Sequence, residues 1–248
     1  MVDYSEMYAN LAIKYDFRVI EFPNSPSLWA DRVKSAYLPS TTFGTINSKD
    51  MNSSTNEVEK SAQAQLMEQS LNMILKENVA LVNKINLVEV VPLIDYIHQA
   101  ERIFIIATGR SGFAMRSAAM RLMHLGFTVY FVGETTTPAI GPKDLLIAAS
   151  GSGNTSSIVS AAQKAVLLGA NVVAITTDAQ SNLAALANQV ILIPAAGKQE
   201  HTGEKSVQYS GGLFEQFLLL LMDSVFHTLW QMDGSPAEEL WKRHANLE

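Results

Sequence analysis

From about Glu57 onward the chain settles into regular apolar periods. Ala64, Leu71, Ile74, Leu75, Val79 and Val82 recur at spacings that one side of a helix presents, so a long amphipathic helix is predicted to open the main domain. A second, shorter helix follows from Val88 to Gln99, with Pro92 tolerated in its first turn, where a backbone N–H has no intrahelical partner to lose. The period then changes. Ile103–Ala107, Val129–Val132, Leu145–Ala149, Val172–Ile175 and Val190–Ile193 are short runs, apolar throughout and rich in Ile or Val, as strands covered on both faces of a parallel sheet must be. Helical segments fit between them at Gly112–Leu125, Ser156–Leu168 and Asn182–Ala187. This alternation predicts an α/β fold with right-handed crossovers: an open five-stranded parallel sheet flanked by helices in three layers. A polar loop, Gly197–Ser210, leads into a strongly apolar helix, Gly212–Gln231, and a short C-terminal helix.

Ahead of this regular part, Ser, Thr and Asn dominate between Ser40 and Asn56, which reads as a linker. Met1–Pro39 mixes aromatics with Pro23, Pro26 and Pro39 and holds no long period of either kind, so it is too short and too broken for a core of its own. Residues 1–56 are therefore expected to form an arm and linker of unknown role, and residues 57–248 the working domain. The first thirty residues carry Asp3, Glu6, Lys14, Asp16, Arg18 and Glu21 among the apolar ones, without the apolar stretch of a secretory signal. The apolar run Phe217–Met222 is far shorter than the roughly 20 residues that span a bilayer, and reads as part of a buried helix. A cytoplasmic protein without membrane attachment is the expectation.

Charge and composition narrow the chemistry. The 248 residues include 18 Lys plus Arg against 24 Asp plus Glu, a net charge of −6, with the basic residues scattered, so nucleic acid is not an expected partner. There is no cysteine, which rules out a disulfide, a thiol nucleophile and a zinc-thiolate site. His98, His124, His201 and His227 lack the spacing of metal ligands, and no metal or other cofactor is expected. His124 falls late in its helix, where the dipole favours a cation. Met115, Met120, Met123 and Met222 read as core filling.

One near-repeat carries candidate chemistry. Ile103-Phe-Ile-Ile-Ala-Thr-Gly-Arg-Ser-Gly112 returns some forty residues later as Leu145-Leu-Ile-Ala-Ala-Ser-Gly-Ser-Gly153, each a strand, a Gly/Ser turn and the start of a helix. Such turns lie at the carboxyl ends of parallel strands, where crevices form and the next helix presents unpaired N–H groups. Ser150, Gly151, Ser152, Gly153, Asn154 and Thr155 combine hydroxyls with backbone that a ligand approaches closely, and Ser111 joins them from the first turn. Hydroxyls and free amides together bind a phosphate dianion without a lysine. The same serines and Thr155 also suit helix caps. The glycine spacing fits neither a dinucleotide fingerprint nor a Walker loop, so a small phosphorylated molecule is the better ligand.

The turns Gly109-Arg-Ser-Gly112 and Ser150-Gly-Ser-Gly-Asn-Thr155 resemble those of the sugar isomerase (SIS) domain family. Within it, the chain from about Ser61 onward resembles the 6-phospho-3-hexuloisomerase family. That likeness rests on Ala118-Ala-Met-Arg-Leu-Met-His-Leu-Gly-Phe127, Val132-Gly-Glu-Thr-Thr-Thr-Pro138, Gly212-Leu-Phe-Glu215 and His244-Ala-Asn-Leu-Glu248. The resemblance implies a flavodoxin-like or Rossmann-like three-layer sandwich, assembled as a homodimer or homotetramer. It also implies the metal-free interconversion of D-arabino-hex-3-ulose 6-phosphate and D-fructose 6-phosphate through a cis-enediolate. Two alternatives carry the same cradle: a sugar-phosphate sensor without turnover, and an arabinose 5-phosphate isomerase.

The family's proposed base falls on Glu215. Moving a carbonyl from C3 to C2 needs a group that takes the C2 proton and returns it to C3, and a carboxylate shielded from water serves. Glu215 also suits the helix dipole as a first-turn carboxylate. His244 is the candidate to move protons between the oxygens, from a C-terminal helix that reaches its own or a neighbouring pocket. Arg110 reads equally as added charge for the pocket and as a solvent-facing residue at a helix entrance, and stays outside the candidate site. The threonines of the Glu134–Pro138 loop read as turn formers.

Overall fold

Five parallel strands form one sheet in the computed structural model, which describes residues 48–197, 200, 206–209 and 211–247. The Met1–Pro39 arm, His201 and Ser210 lie outside the described residues. The chain divides at Ser70/Leu71 into two units, and all that follows about the sheet and its helices concerns the second.

The strands are β1 (Ile103–Ile106), β2 (Val129–Phe131), β3 (Leu145–Ala149), β4 (Asn171–Thr176) and β5 (Gln189–Leu192), in the order β2-β1-β3-β4-β5. Every pairing is parallel, with Ile103 opposite both Val129 and Leu145. The period-2 alternation divides the core in two. Ile103, Ile105, Leu145, Ile147, Val173 and Ile175 face one side. Phe104, Ile106, Leu146, Ala148, Val172 and Ala174 face the other. β1 and β3 are buried along their whole length and β4 at all but its first residue. β2 is only half-buried and β5 is mixed, a correction to the expectation of strands covered on both faces. They are the two edges of the sheet, and an edge has a neighbour on one side only.

The helices follow the apolar periods with adjusted ends. α1 (Ser48–Val82) starts inside the segment expected as a linker; once a helix is nucleated each further residue adds a hydrogen bond, and polar composition alone does not stop it. In its second-unit part Leu81 and Asn78 are buried, whereas Leu71, Leu75, Val79 and Val82 are exposed, so the stripe that periodicity selected is not the one that joins the core. α2 (Val91–Gln99) is preceded by a 3-10 turn, Leu87–Glu89, capped by the Asn86 side chain on the Val88 amide; the pair splits the expected Val88–Gln99 helix ahead of Pro92. α3 (Gly109–His124) and α4 (Ser156–Leu167) fill the predicted crossovers, α3 beginning three residues early. The expected Asn182–Ala187 helix is reduced to a 3-10 turn, Ala184–Leu186, because its entrance is tied down: Leu183 donates its amide to Gly153 O at 3.0 Å.

α5 (Gly212–Asp233) and α6 (Ala237–Trp241) close the chain. By length and composition α5 would pass for a membrane span, yet more than half of that stretch is buried inside the domain. It packs along α3, burying Leu213, Phe214, Phe217, Leu218, Leu221, Met222, Val225 and Leu229. At about 1.5–3 kcal/mol for each fully buried side chain, this apolar set outweighs the several kcal/mol that desolvating one carboxylate costs. Glu215 is carried into the interior on that surplus.

Candidate active site

β1 and β3 are neighbours in the sheet, but the chain visits the far edge, β2, between them. Crossovers from adjacent strands therefore leave in opposite directions and open a crevice at the carboxyl ends. Both Gly/Ser turns rise from this point. The β1 turn enters α3 through Thr108 and Gly109, the latter at φ +59°, and the β3 turn enters α4 through Thr155. Neither Thr108 nor Thr155 caps its helix with its side chain. Thr155 Oγ1 instead meets Ser150 Oγ at 3.0 Å, and among the described residues nothing bonds the Ser111 hydroxyl. The hydroxyls are thus turned to each other and to the crevice rather than spent on caps.

Thr108, Ser111, Ala149, Ser150, Gly151, Ser152, Thr155 and Ile158 line a cavity of about 50 Å³ there. Whole small-molecule sites run to roughly 300 Å³ or more. The space suits a phosphate group, with the rest of a sugar projecting beyond it. Of the candidate phosphate ligands, Ser111, Ser150, Gly151, Ser152 and Thr155 meet at this cavity, and Gly153 and Asn154 do not. Gly153 N donates to Ser150 O (3.0 Å) and Ser150 Oγ (3.2 Å), and Asn154 N to Ser152 Oγ (3.3 Å). Asn154 also accepts the Asn182 amide on its side chain. These two residues shape the turn, their amides already engaged. Gly153 stands at φ +62°, and a Cβ there would lie 2.0 Å from Ser181 Oγ, so the position admits no side chain.

The start of α5 closes the crevice. Gly211, in the left-handed region at φ +78°, delivers the helix, and Phe214 packs over Gly151, 3.3 Å from where a Cβ would stand. Glu215 follows, 8% exposed, with Arg110 Nε 3.0 Å from its Oε2. The first turn of α5 therefore touches both Gly/Ser turns within one protomer, through Arg110 and through Gly151. Arg110 is the residue that sequence reasoning missed. Its partner lies 105 positions away, and only the docking of α5 on α3 brings the two together.

A second network fixes the loop in front of α5. Glu77 of α1 accepts hydrogen bonds from Ser206 Oγ (2.7 Å), Val207 N (2.8 Å) and Gln208 Nε2 (2.8 Å). Gln208 Oε1 accepts from Gln216 Nε2 (2.7 Å), and Gln216 Oε1 from Asn78 Nδ2 (2.9 Å). Gln216 is next to Glu215, so α1 sets the position of the carboxylate through this chain of bonds.

His244 is not among these groups in its own chain. Its ring stacks on His124 at 4.1 Å and lies 4.5 Å from Trp241. His124 ends α3, thirteen residues from Ser111, or about 20 Å along the helix axis. His244 therefore cannot serve its own protomer's crevice. His124 itself, at the helix end where the dipole favours a cation, is 3% exposed. Burial, then the proximity of His244 and Arg121, holds its imidazolium pKa below the usual histidine value. In the Glu134–Pro138 loop, Thr137 Oγ1 donates to Phe131 O at 2.8 Å, a turn-forming contact, and Glu134 pairs with Arg116 of α3, which ties the loop to that helix.

A crevice of hydroxyls and helix N-termini at the switch point of a 2-1-3-4-5 parallel sheet, with one buried carboxylate near it, is the arrangement of an α/β domain suited to a small phosphorylated ligand. The model of the SIS domain matches residues 96–218. The chain belongs to this family, in the branch shared with the following relatives. The 3-hexulose-6-phosphate isomerase of Mycobacterium gastri is 48% identical over 179 residues, 72% of this chain and 90% of that protein. Its namesake from Bacillus subtilis is 41% identical over 157 residues, 63% of this chain and 85% of that protein. The solved structure of a hypothetical protein from Methanococcus jannaschii, for which the function of 3-hexulose-6-phosphate isomerase was inferred, has a TM-score of 0.64 at 35% identity. It covers 73% of this chain and 99% of that one.

Proposed function

We propose that this protein is a ketose isomerase that interconverts D-arabino-hex-3-ulose 6-phosphate and D-fructose 6-phosphate, and that residues 57–248 carry the activity. The observation that supports this reading is the approach of buried Glu215 to the two hydroxyl-lined turns, through its ion pair with Arg110 beside the first and through its neighbour Phe214 over Gly151 of the second. Ser111, Ser150, Ser152 and Thr155, with the Gly151 backbone and the first-turn amides of α3 and α4, hold the 6-phosphate; Gly153 and Asn154 keep the turn in shape. The phosphate supplies binding energy remote from the reacting carbons, which orients C2 and C3 at the carboxylate. Glu215 removes the C2 proton, the electron pair forms the C2–C3 double bond, and the C3 carbonyl becomes an enediolate oxygen. Return of the proton to C3, with transfer of the O2 proton to O3, leaves the carbonyl at C2. The atoms balance without any group outside the substrate and the acid–base residues.

Proton transfer between O2 and O3 falls to His244 of a second copy. Phe113, Met120 and Leu220 are exposed on α3 and α5, apolar surface suited to self-association as a homodimer or homotetramer. Mixing two inactive variants, Glu215→Gln and His244→Asn, is expected to regain part of the activity through hybrid assemblies. No regain on mixing would remove His244 from the mechanism. We place the protein in the cytoplasm, with the pools of phosphorylated sugars.

The functional reading is tested by supplying each substrate to the full chain. Formation of fructose 6-phosphate from the hex-3-ulose 6-phosphate is expected, with arabinose 5-phosphate turned over at least about a hundredfold more slowly. Tight binding of both sugars without turnover would instead make the protein a sensor.

A further inference from the structure

The crevice presents an electrostatic puzzle. Its lining is Thr, Ser, Gly, Ala and Ile, so a doubly charged phosphate would rest on dipoles alone. Arg110 directly precedes Ser111, a wall of that cavity, and its guanidinium meets Glu215, whose neighbour Phe214 packs over Gly151, another wall. It is two-thirds exposed, in contrast with its buried partner Glu215. Its ion pair uses Nε. The two terminal nitrogens, four of the five N–H donors of a guanidinium, have no partner among the described residues. A half-engaged cation thus sits on a buried carboxylate next to a turn whose anion site holds no charge of its own.

We propose that Arg110 is a positioning residue shared between Glu215 and the substrate phosphate. In the empty site it holds the carboxylate in place. When a phosphate monoester enters, the guanidinium turns its terminal nitrogens toward the dianion, and its hold on the carboxylate loosens. The base is then released by the part of the substrate that marks it as correct, which couples proton abstraction at C2 to occupation of a site several carbons away. This inference rests on the reading of Glu215 as base, but its binding prediction does not need turnover.

The test is a double-mutant cycle read by calorimetry on the full chain, with glucitol 6-phosphate, a reduced sugar phosphate that cannot isomerise, and inorganic phosphate as probes. Arg110→Gln is expected to weaken glucitol 6-phosphate binding by about 10- to 100-fold, the scale of a lost charged hydrogen bond. Arg110→Lys, which keeps the charge and loses the fork, is expected to recover part of it. Because the two anions compete for one cation, Glu215→Gln is expected to tighten phosphate binding when Arg110 is present. The gain should be at least about threefold smaller in the Arg110→Gln background. Inorganic phosphate is expected to follow the same pattern. Circular dichroism melting reports whether each variant is folded, and Arg110→Lys serves where Arg110→Gln is not. Equal affinity in wild type and Arg110→Gln, or equal effects of Glu215→Gln in both backgrounds, would overturn the proposal. If the cycle holds while wild type fails to form fructose 6-phosphate, the isomerase reading fails and the shared arginine stands.

Discussion

Gly153→Ala is the smallest change that strikes the Gly/Ser turn after β3, and its consequences follow from coordinates. At φ +62° a residue with a Cβ costs about 1–2 kcal/mol more than glycine. The added methyl would also lie 2.0 Å from Ser181 Oγ, 2.3 Å from Ser181 Cβ and 2.9 Å from Thr176 Oγ1. Overpacking of this kind costs about 1–3 kcal/mol after relaxation. Together the two give a destabilisation of about 2–5 kcal/mol, a large share of the roughly 5–15 kcal/mol that holds a typical domain together. Relaxation must move either the Ser181 turn or the Gly153 turn. The latter carries the Ser150 hydroxyl by its hydrogen bond, so sugar-phosphate affinity falls as well. Equilibrium unfolding in urea measures the first effect and calorimetry with glucitol 6-phosphate the second. Ser181→Gly removes the nearest clashing atoms. In a double-mutant cycle it is expected to return at least about 1 kcal/mol of what Gly153→Ala loses, in excess of additivity. If Gly153→Ala shifts stability by less than about 0.5 kcal/mol and leaves binding intact, the account of the turn is wrong.

Two further outcomes concern the ends of α3 and α1. Since the His124 pKa is lowered by folding, the unfolded chain takes up a proton there that the folded chain refuses; stability is full above about pH 6.5 and declines as the pH falls below it. Urea midpoints measured across that range are expected to show a shallower decline in His124→Gln, and identical slopes would exclude this origin. Glu77→Ala breaks three hydrogen bonds to the loop ahead of α5 and is expected to lower kcat by about 10- to 100-fold through displacement of Glu215, with a smaller change in KM. Glu77→Gln, which keeps an acceptor, should lie between the two, and a pure KM effect would contradict the positioning role.

Much of this architecture is legible in the chain because its signals are local. Leu145–Ala149 is an unbroken apolar run of strand length flanked by turn residues, and it needs no knowledge of its neighbours to be read as a central strand. The same holds for the paired Gly/Ser turns, whose glycines and hydroxyls state their backbone requirement in place. What escapes the sequence is set by contacts between distant segments. The ion pair of Arg110 with Glu215 depends on α5 lying beside α3. Burial of Leu81 rather than Leu75 depends on which side of α1 joins the core, and periodicity cannot choose between two apolar stripes. His124 looks like a helix-end cation favoured by the dipole, yet it is buried and His244 stacks on it. Gly153 and Asn154 have the composition of phosphate ligands, yet their amides are consumed within the turn.

The central claim is that one buried carboxylate moves the proton between adjacent carbons of a sugar gripped by its phosphate. The most direct test is the rate of fructose 6-phosphate formation by Glu215→Gln beside wild type, at substrate levels that saturate both. A fall in kcat of at least about a hundredfold, with glucitol 6-phosphate still bound, is the result that follows from the structure. A variant that keeps more than a tenth of the wild-type rate would show that the proton is carried by some other group.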